Sequence, residues 1–243
     1  MRKLLAIWLG KILTIVGKTV GKKSSSSPGA YALKICPDLV KGLEKCVSKG
    51  IIVICGTNGK TTTNNLMASA LEAKGYKVIC NKLGANMLSG IATTVLQEMS
   101  IFGKLKADYA CLEIDEAYTP IVFDYVKPDV MVITNLFRDQ LDRYGEIDIT
   151  SDIIKRAIKK VPNLKLVLNG DDPLCVQFGR EENVKAYYYG ISEKVLPQLD
   201  DTKEGRFCPV CGEEQKYNYY HYSQLGDFYC PSCGFKRPEI DFE

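Results

Sequence analysis

Three groups of residues in this chain have the types and spacing to do chemistry. The first lies in "VICGTNGKTTTNNL", residues 53–66. Backbone N–H groups of residues 56–61, opening a helix, suit phosphate oxygens, and the helix dipole favours the anion. Gly56 and Gly59 let the backbone approach without a Cβ clash. Lys60 suits the β- and γ-phosphates, and the Thr61 hydroxyl suits Mg²⁺. The candidate nucleotide contacts are therefore Gly56, Thr57, Asn58, Gly59, Lys60, Thr61 and Thr62. The spacing departs from the common phosphate loop: two residues separate Gly56 from Gly59, and Ile54 stands where the usual first glycine would be. The second group is "CLEIDEAY", 111–118, with Glu113, Asp115 and Glu116 at the end of an apolar run. One or two such carboxylates, with phosphate oxygens and water, satisfy a hard cation. Strand alternation would put Glu113 and Asp115 on one face and Glu116 on the other; a solvated acidic turn is the plainer alternative. The third is Cys208-x₂-Cys211 and, eighteen residues on, Cys230-x₂-Cys233, with Gly212 and Gly234 after the second thiol of each pair. Four thiolates close a zinc tetrahedron and leave no open position, so such a site is structural.

These groups need a scaffold, and the pattern between them supplies one. "IIVIC" (51–55) is the continuous β-branched run of a strand buried in a parallel sheet. A helix over 61–74 follows, then a strand over 76–80, a helix near 88–99, and strands at 108–114 and 129–134. A helix over 148–160 and strands at 164–169 and 184–189 complete the series, and "PDLVKGLEKCVSKG" (37–50) reads as a short helix before it. Repeated βα units imply an α/β fold: a mostly parallel sheet with helices on both faces. "YNYYHYSQ" between the cysteine pairs reads as an aromatic β-hairpin, its rings suited to packing more than to stacking on bases. The single histidine, His221, excludes a Ser-His-Asp or Cys-His unit within these residues.

Composition narrows the classes further. With 46% hydrophobic and 25% charged residues over 243 positions, the chain is globular, and its net charge of +3 gives no argument for nucleic acid. The six cysteines outside the paired motif are scattered, which excludes a secreted disulfide framework and points to a reducing, cytoplasmic setting. The N-terminal "MRKLLAIWLGKILTIVGKTVGKK" is interrupted by Lys11 and Lys18 and is too short in its apolar runs to span a bilayer. It suits a basic amphipathic helix, lying on a membrane surface or packing on its own domain, with "SSSSPG" (24–29) as a break after it.

"GTNGKTTT", "EIDEA", "ITNLFRDQLDRYGEID" (133–148) and "LNGDDP" (168–173), in that order, resemble the Mur ligase superfamily over residues 48 to 195. Its members phosphorylate a carboxylate with ATP and let an amine attack the acyl phosphate. The resemblance implies that Lys60 and Glu113 are catalytic, that Thr61 and Glu113 hold Mg²⁺, and that Asn169 and Asp172 lie on the adenine and ribose side of the nucleotide. One position departs: the family's "DHxDRY" histidine is Gln140 here, a weaker ligand, so a second metal is not implied. Lys155 falls where members often place a carbamylated lysine, although an ordinary helix lysine reads equally well there. The ribbon and Gln140 resemble one branch in particular. That branch activates the D-glutamate α-carboxylate of lipid II and converts it to D-isoglutamine with ammonia from a GatD-type glutaminase, as a heterodimer. The implied cofactors are ATP, Mg²⁺ and Zn²⁺, and the implied place is the inner face of the membrane.

The expected domain plan is a basic arm and linker over 1–47, a central ATP-binding domain over 48–204, a zinc ribbon over 205–237 and a return over 238–243. The family's C-terminal domain is expected beyond Glu243, so nucleotide binding with little turnover is expected of this chain alone. Two alternatives stand beside this one. Another amide ligase of the superfamily, of the folylpolyglutamate or cyanophycin synthetase type, would share "GTNGK". A non-catalytic loop-and-ribbon module would bind nucleic acid or a protein partner.

Overall fold

A computed structural model describes residues 1–19, 26–82, 84–137, 146–181, 184–193 and 206–243. Gln140 and its "DQLDRY" neighbourhood, Ser24 and Ser25 of the serine run, and the 204/205 boundary lie outside the described residues. The chain forms two compact units, Met1–Cys55 with Gly59–Val130, and Gly56–Asn58 with Met131–Glu243. In order, the elements are α1 (Arg2–Thr19), α2 (Ser27–Ile35), β1 (Val47–Cys55), α3 (Lys60–Ala73), β2 (Val78–Cys80), α4 (Leu88–Glu98), β3 (Ala107–Glu113), α5 (Thr119–Tyr125) and β4 (Val130–Ile133). There follow α6 (Glu146–Lys159), β5 (Lys165–Asn169), α7 (Pro173–Val176), β6 (Lys185–Tyr189), β7 (Lys216–Tyr222) and β8 (Leu225–Tyr229). The sheet has six strands in the order β2-β3-β1-β4-β5-β6, with β7-β8 as a separate pair. The α/β expectation is met.

In the first unit, β1 is parallel to β3 and pairs Ile52 with Cys111 and Ile54 with Glu113. Strand β2 is parallel to β3, with Cys80 opposite Cys111. Ile51, Val53, Ile54, Ala110, Cys111 and Leu112 are buried, as an interior strand with both faces covered requires. On one side lies a helical layer of α1, α2 and α4. There α1 buries Ala6, Ile7 and Gly10, and a Cβ on Gly10 would stand 2.6 Å from Leu96 Cδ1. The Gly29 N–H donates to Thr93 Oγ1 at 2.9 Å, an approach that admits no side chain because a Cβ there would meet Ser89 O at 2.0 Å.

Two expectations change. Residues 37–46 are turns and one 3₁₀ turn rather than a helix: Gly42 takes a left-handed φ of 82° that halts helix propagation, and from Val47 the chain already belongs to β1. The break expected at 24–29 ends early, because α2 begins at Ser27 with Pro28 in its first turn, where proline's missing N–H costs nothing. The short helix α5 carried no strong signal in the sequence.

In the second unit, β5 and β6 are parallel, with Asn169 opposite Tyr189. The terminal segment lies along β6, where Gly190 N–H donates to Phe242 O and Tyr188 N–H to Asp241 Oδ2 at 2.8 Å. The antiparallel β7–β8 hairpin is the one expected between the cysteine pairs. Its core of Phe228, Phe235, Cys208 and Cys230 packs on Val176, with Tyr188 and Tyr217 partly buried against it.

Candidate functional site

Lys60, Thr61 and the acidic end of β3 lie in the first unit. Since Ile54 pairs with Glu113, β1 and β3 finish level, and Lys60 at the head of α3 reaches Glu116, 3.1 Å from Nζ to Oε1. Both side chains are only 14% exposed, so the pair is weakly screened. Burial raises the Glu116 carboxyl above its ordinary range, and Lys60 opposes that rise. The expected alternation of carboxylates stops early. Strand β3 ends at Glu113, and Asp115 instead caps the 3₁₀ turn 116–118 by accepting the Ala117 N–H at 3.0 Å.

Glu113 is 3% exposed, and its Oε2 is buried with no hydrogen-bond partner among the described residues. A buried acceptor in that state is costly unless a ligand completes it. A cation beside Glu113 would do so, and hard carboxylate oxygen is what Mg²⁺ takes. The residue is held by its backbone. Asn81, 2% exposed, accepts the Glu113 N–H and donates to the Glu113 carbonyl, both at 2.8 Å, and also donates to Ala85 O. Asn64 on α3 donates in turn to Asn81 Oδ1 at 3.2 Å. Neither asparagine was singled out from the sequence. The available signal for Asn81 was its place directly after the end of a parallel strand, where such folds gather their polar groups.

Gly56, Thr57 and Asn58 belong to the second unit. Gly56 takes φ 127°, and a Cβ there would meet Thr134 Oγ1 at 2.3 Å. Thr57 N–H donates to Asn135 O, and Asn58 N–H donates to Asn135 Oδ1. Asn58 O accepts from Thr134 Oγ1 and from Asn135 Nδ2. Thr57 Oγ1 accepts the Phe137 N–H at 3.0 Å. The segment 134–137 is thus the template on which the front of the loop is shaped. Along the chain, Gly59 follows with φ 81° and α3 begins at Lys60, with Thr61 and Thr62 exposed. The start of α3 carries the positive end of the helix dipole, which suits an anion.

Asn169 and Asp172 are buried within this unit. Asn169 donates to Thr134 O and accepts the Asp171 N–H. Asp172 is fully buried: Oδ2 accepts the Leu136 N–H at 2.9 Å, and Oδ1 caps α7 through the Leu174 N–H at 3.0 Å. Burial pushes its carboxyl up to about 6, against the pull of these donors. Lys155 is partly buried on α6.

The four ribbon thiols lie within 4.8 Å of one another, with Cys208–Cys233 at 3.7 Å and Cys211–Cys230 at 3.5 Å. A zinc tetrahedron with bonds of about 2.3 Å has edges of roughly 3.8 Å, so the residues fit the ion. Each pair forms a knuckle: Gly212 N–H donates to Cys208 O and Gly234 N–H to Cys230 O, with φ of 78° and 73° at the two glycines. The four thiols share their protons unevenly: backbone N–H groups of Cys233 and Ser232 pull Cys230 down to about 7, while burial raises Cys208, and burial with the neighbouring thiols pushes Cys211 up to about 12.

Comparison with known proteins gives the family. Residues 54–229 match the Mur ligase middle domain, and the chain belongs to the Mur ligase family. The MurT subunit of lipid II isoglutaminyl synthase (glutamine-hydrolyzing) from Staphylococcus aureus strain COL is 38% identical over 243 residues, 100% of this chain and 54% of that protein. The Streptococcus pneumoniae MurT subunit is 39% identical over 220 residues, 90% of this chain and 48% of its own. The chain thus spans about half the length of the curated relatives it matches. Among solved structures, a pseudomurein peptide ligase type C from Methanothermus fervidus superposes with a TM-score of 0.63 at 30% identity, over 80% of this chain and 37% of that one. MurF from Thermotoga maritima, solved with ADP, superposes at 0.52 with 18% identity over 67% and 37%, a likeness of fold alone.

Proposed function

We propose that this chain is the ATP-binding part of a ligase that activates the D-glutamate α-carboxylate of lipid II for amidation to D-isoglutamine. The observation that carries this reading is the identity to MurT subunits along all 243 residues, which takes in the ribbon segment as well as the loop. The loop from Gly56 to Thr62 binds the phosphates, but not through all the N–H groups of 56–61 as expected: those of Thr57 and Asn58 already donate to Asn135, so these two residues shape the loop. Lys60 leaves Glu116 for the γ-phosphoryl group and stabilises charge as that group moves to the carboxylate oxygen. Thr61 and Glu113 hold the cation, which when bound neutralises phosphate charge. The amine that then attacks the acyl phosphate is ammonia, supplied by a GatD-type glutaminase subunit. Asn169 and Asp172 shape the adenine and ribose side from within the fold. The four cysteines hold Zn²⁺ structurally, in the domain plan given above.

Among the described residues no helix is long and apolar enough to cross a membrane. The proposed place is the cytoplasmic face of the membrane, touched through α1. Its Leu5, Trp8, Ile12, Ile15 and Val16 are each about half or more exposed, beside Arg2 and Lys3, a composition suited to an anionic interface. Flotation with anionic vesicles that persists undiminished in Trp8→Lys removes this contact from the proposal.

The decisive test incubates the full-length protein carrying this chain, with a glutaminase subunit, in lipid II, ATP, Mg²⁺ and glutamine. Mass spectrometry should find the ~1 Da loss of acid-to-amide conversion, and Lys60→Ala should abolish it, since such clamps are worth orders of magnitude in rate. The likeness to a pseudomurein peptide ligase favours a second reading, joining of an amino acid instead of ammonia. A product heavier by an amino-acid residue, rather than lighter by ~1 Da, decides for that reading.

A further inference from the structure

The ribbon hairpin does more than pack. At its tip, Gln224 is fully buried and donates to Leu136 O at 2.9 Å. Gln224 also hydrogen-bonds the Asp172 carboxylate, which accepts the N–H of the same Leu136. Both ends of the Leu136 residue are therefore clamped, the carbonyl by the ribbon and the N–H by Asp172. Leu136 stands between Asn135 and Phe137, the two residues that hold the backbone and side chain of Thr57 and the backbone of Asn58. Two further links run parallel to the clamp. The Tyr222 ring meets Phe137 edge-on at 6.1 Å, and Gly226 N–H donates to Asp171 O at 2.9 Å.

We infer that the zinc ribbon is a brace for the phosphate loop, with Gln224 as its positioning residue: the metal-fixed hairpin sets Leu136, and through Asn135 and Phe137 it sets Thr57 and Asn58. The physical case rests on burial. A primary amide enclosed at 0% exposure has no water to fall back on, so its donors fix Leu136 in one place. Tyr222, 68% exposed, buries little on its own account and rests its ring against Phe137. The inference rests on the loop being the nucleotide site, as proposed above, and the test separates the two.

The zinc-loaded chain is compared with Gln224→Leu, which keeps the bulk and removes the donors, and with Asn218→Ala. Among the described residues the Asn218 side chain bonds its hairpin neighbour Asp227, at 2.8 Å, on the exposed side. Affinity for a fluorescent ATP analogue and amide exchange at residues 57, 58 and 135–137 are read together with the melting temperature. Gln224→Leu should weaken binding about tenfold and speed exchange at 57 and 58, the loss of one buried bond's worth of positioning. Asn218→Ala should change neither. Tyr222→Ala, at a surface position, should move both readouts in the same direction by a smaller factor, and it serves if the leucine variant does not fold. Removing zinc with a chelator should raise exchange at 57 and 58 before global unfolding. Equal affinity and equal exchange at 57 and 58 in the Gln224 and Tyr222 variants overturn the brace. If the unaltered chain binds no nucleotide, the functional reading falls, and exchange at 57 and 58 in those variants still decides for or against the brace.

Discussion

Two acidic clusters, each at the end of a parallel strand, look alike in sequence and do opposite things. After β5, Asp171 and Asp172 are fully engaged by their own unit. Asp171 takes Arg237 at 2.8 Å and the Ile191 N–H at 2.9 Å, while Asp172 takes Leu136, Leu174 and Gln224. At the end of β3, Glu113 is also buried, yet one oxygen has no partner among the described residues, and Glu116 is paired with Lys60, the lysine that phosphates would claim. A carboxylate whose oxygens are all taken by donors of its own unit is architecture. One that is buried and incomplete leaves room for a ligand, which is the role proposed for Glu113.

That contrast can be broken by substitution. The largest effect is expected from Glu113→Gln. Steady-state kinetics on the full-length protein should show turnover falling ~10²–10³-fold, the range for removing one electrostatic contact at a reacting phosphoryl group. Its melting temperature should hold or rise, because the change removes a buried charge that the fold itself does not complete. A large loss of stability would place Glu113 with the architectural carboxylates.

Asp172→Asn should behave the other way. It weakens a helix cap and the Leu136 clamp, so urea unfolding should show a loss of about 2 kcal/mol near neutral pH. The direction with pH follows from burial. The Asp172 carboxyl stands at about 6 in the fold against about 4 in an unfolded chain, so the native state keeps a proton that the unfolded state gives up. Its contribution is full below pH ~4 and is lost as pH rises through 6, a span of roughly 3 kcal/mol. The stability advantage over Asp172→Asn should therefore shrink between pH 5 and 7. An advantage that grows over that interval contradicts the burial argument.

The smallest effect sharpens the comparison. If Glu116 competes with phosphate for Lys60, then Glu116→Gln should tighten ATP-analogue binding two- to fivefold by titration, the scale of one weakly screened ion pair, ~0.5–1 kcal/mol. Weaker binding would mean that Glu116 contacts the nucleotide's cation itself.

Much of this molecule was legible along the chain because its signals are local. The apolar run 51–55, the glycines and lysine of 56–60, and the two cysteine knuckles each place their chemistry within a few residues. Backbone strain and ligand geometry act over that distance, so the α/β fold, the loop and the four thiols could be read directly. Residues 37–50 misled because helical spacing outweighed one glycine, whereas in the fold Gly42 and the pairing of Val47 with Ala107 prevailed. What only the tertiary structure decided is which polar groups are already used. Asn81 on Glu113, Asn135 on the loop and Gln224 on Leu136 join residues 32, 77 and 88 positions apart. Such hydrogen bonds leave no period or motif in the sequence, since each depends on two distant segments being buried face to face.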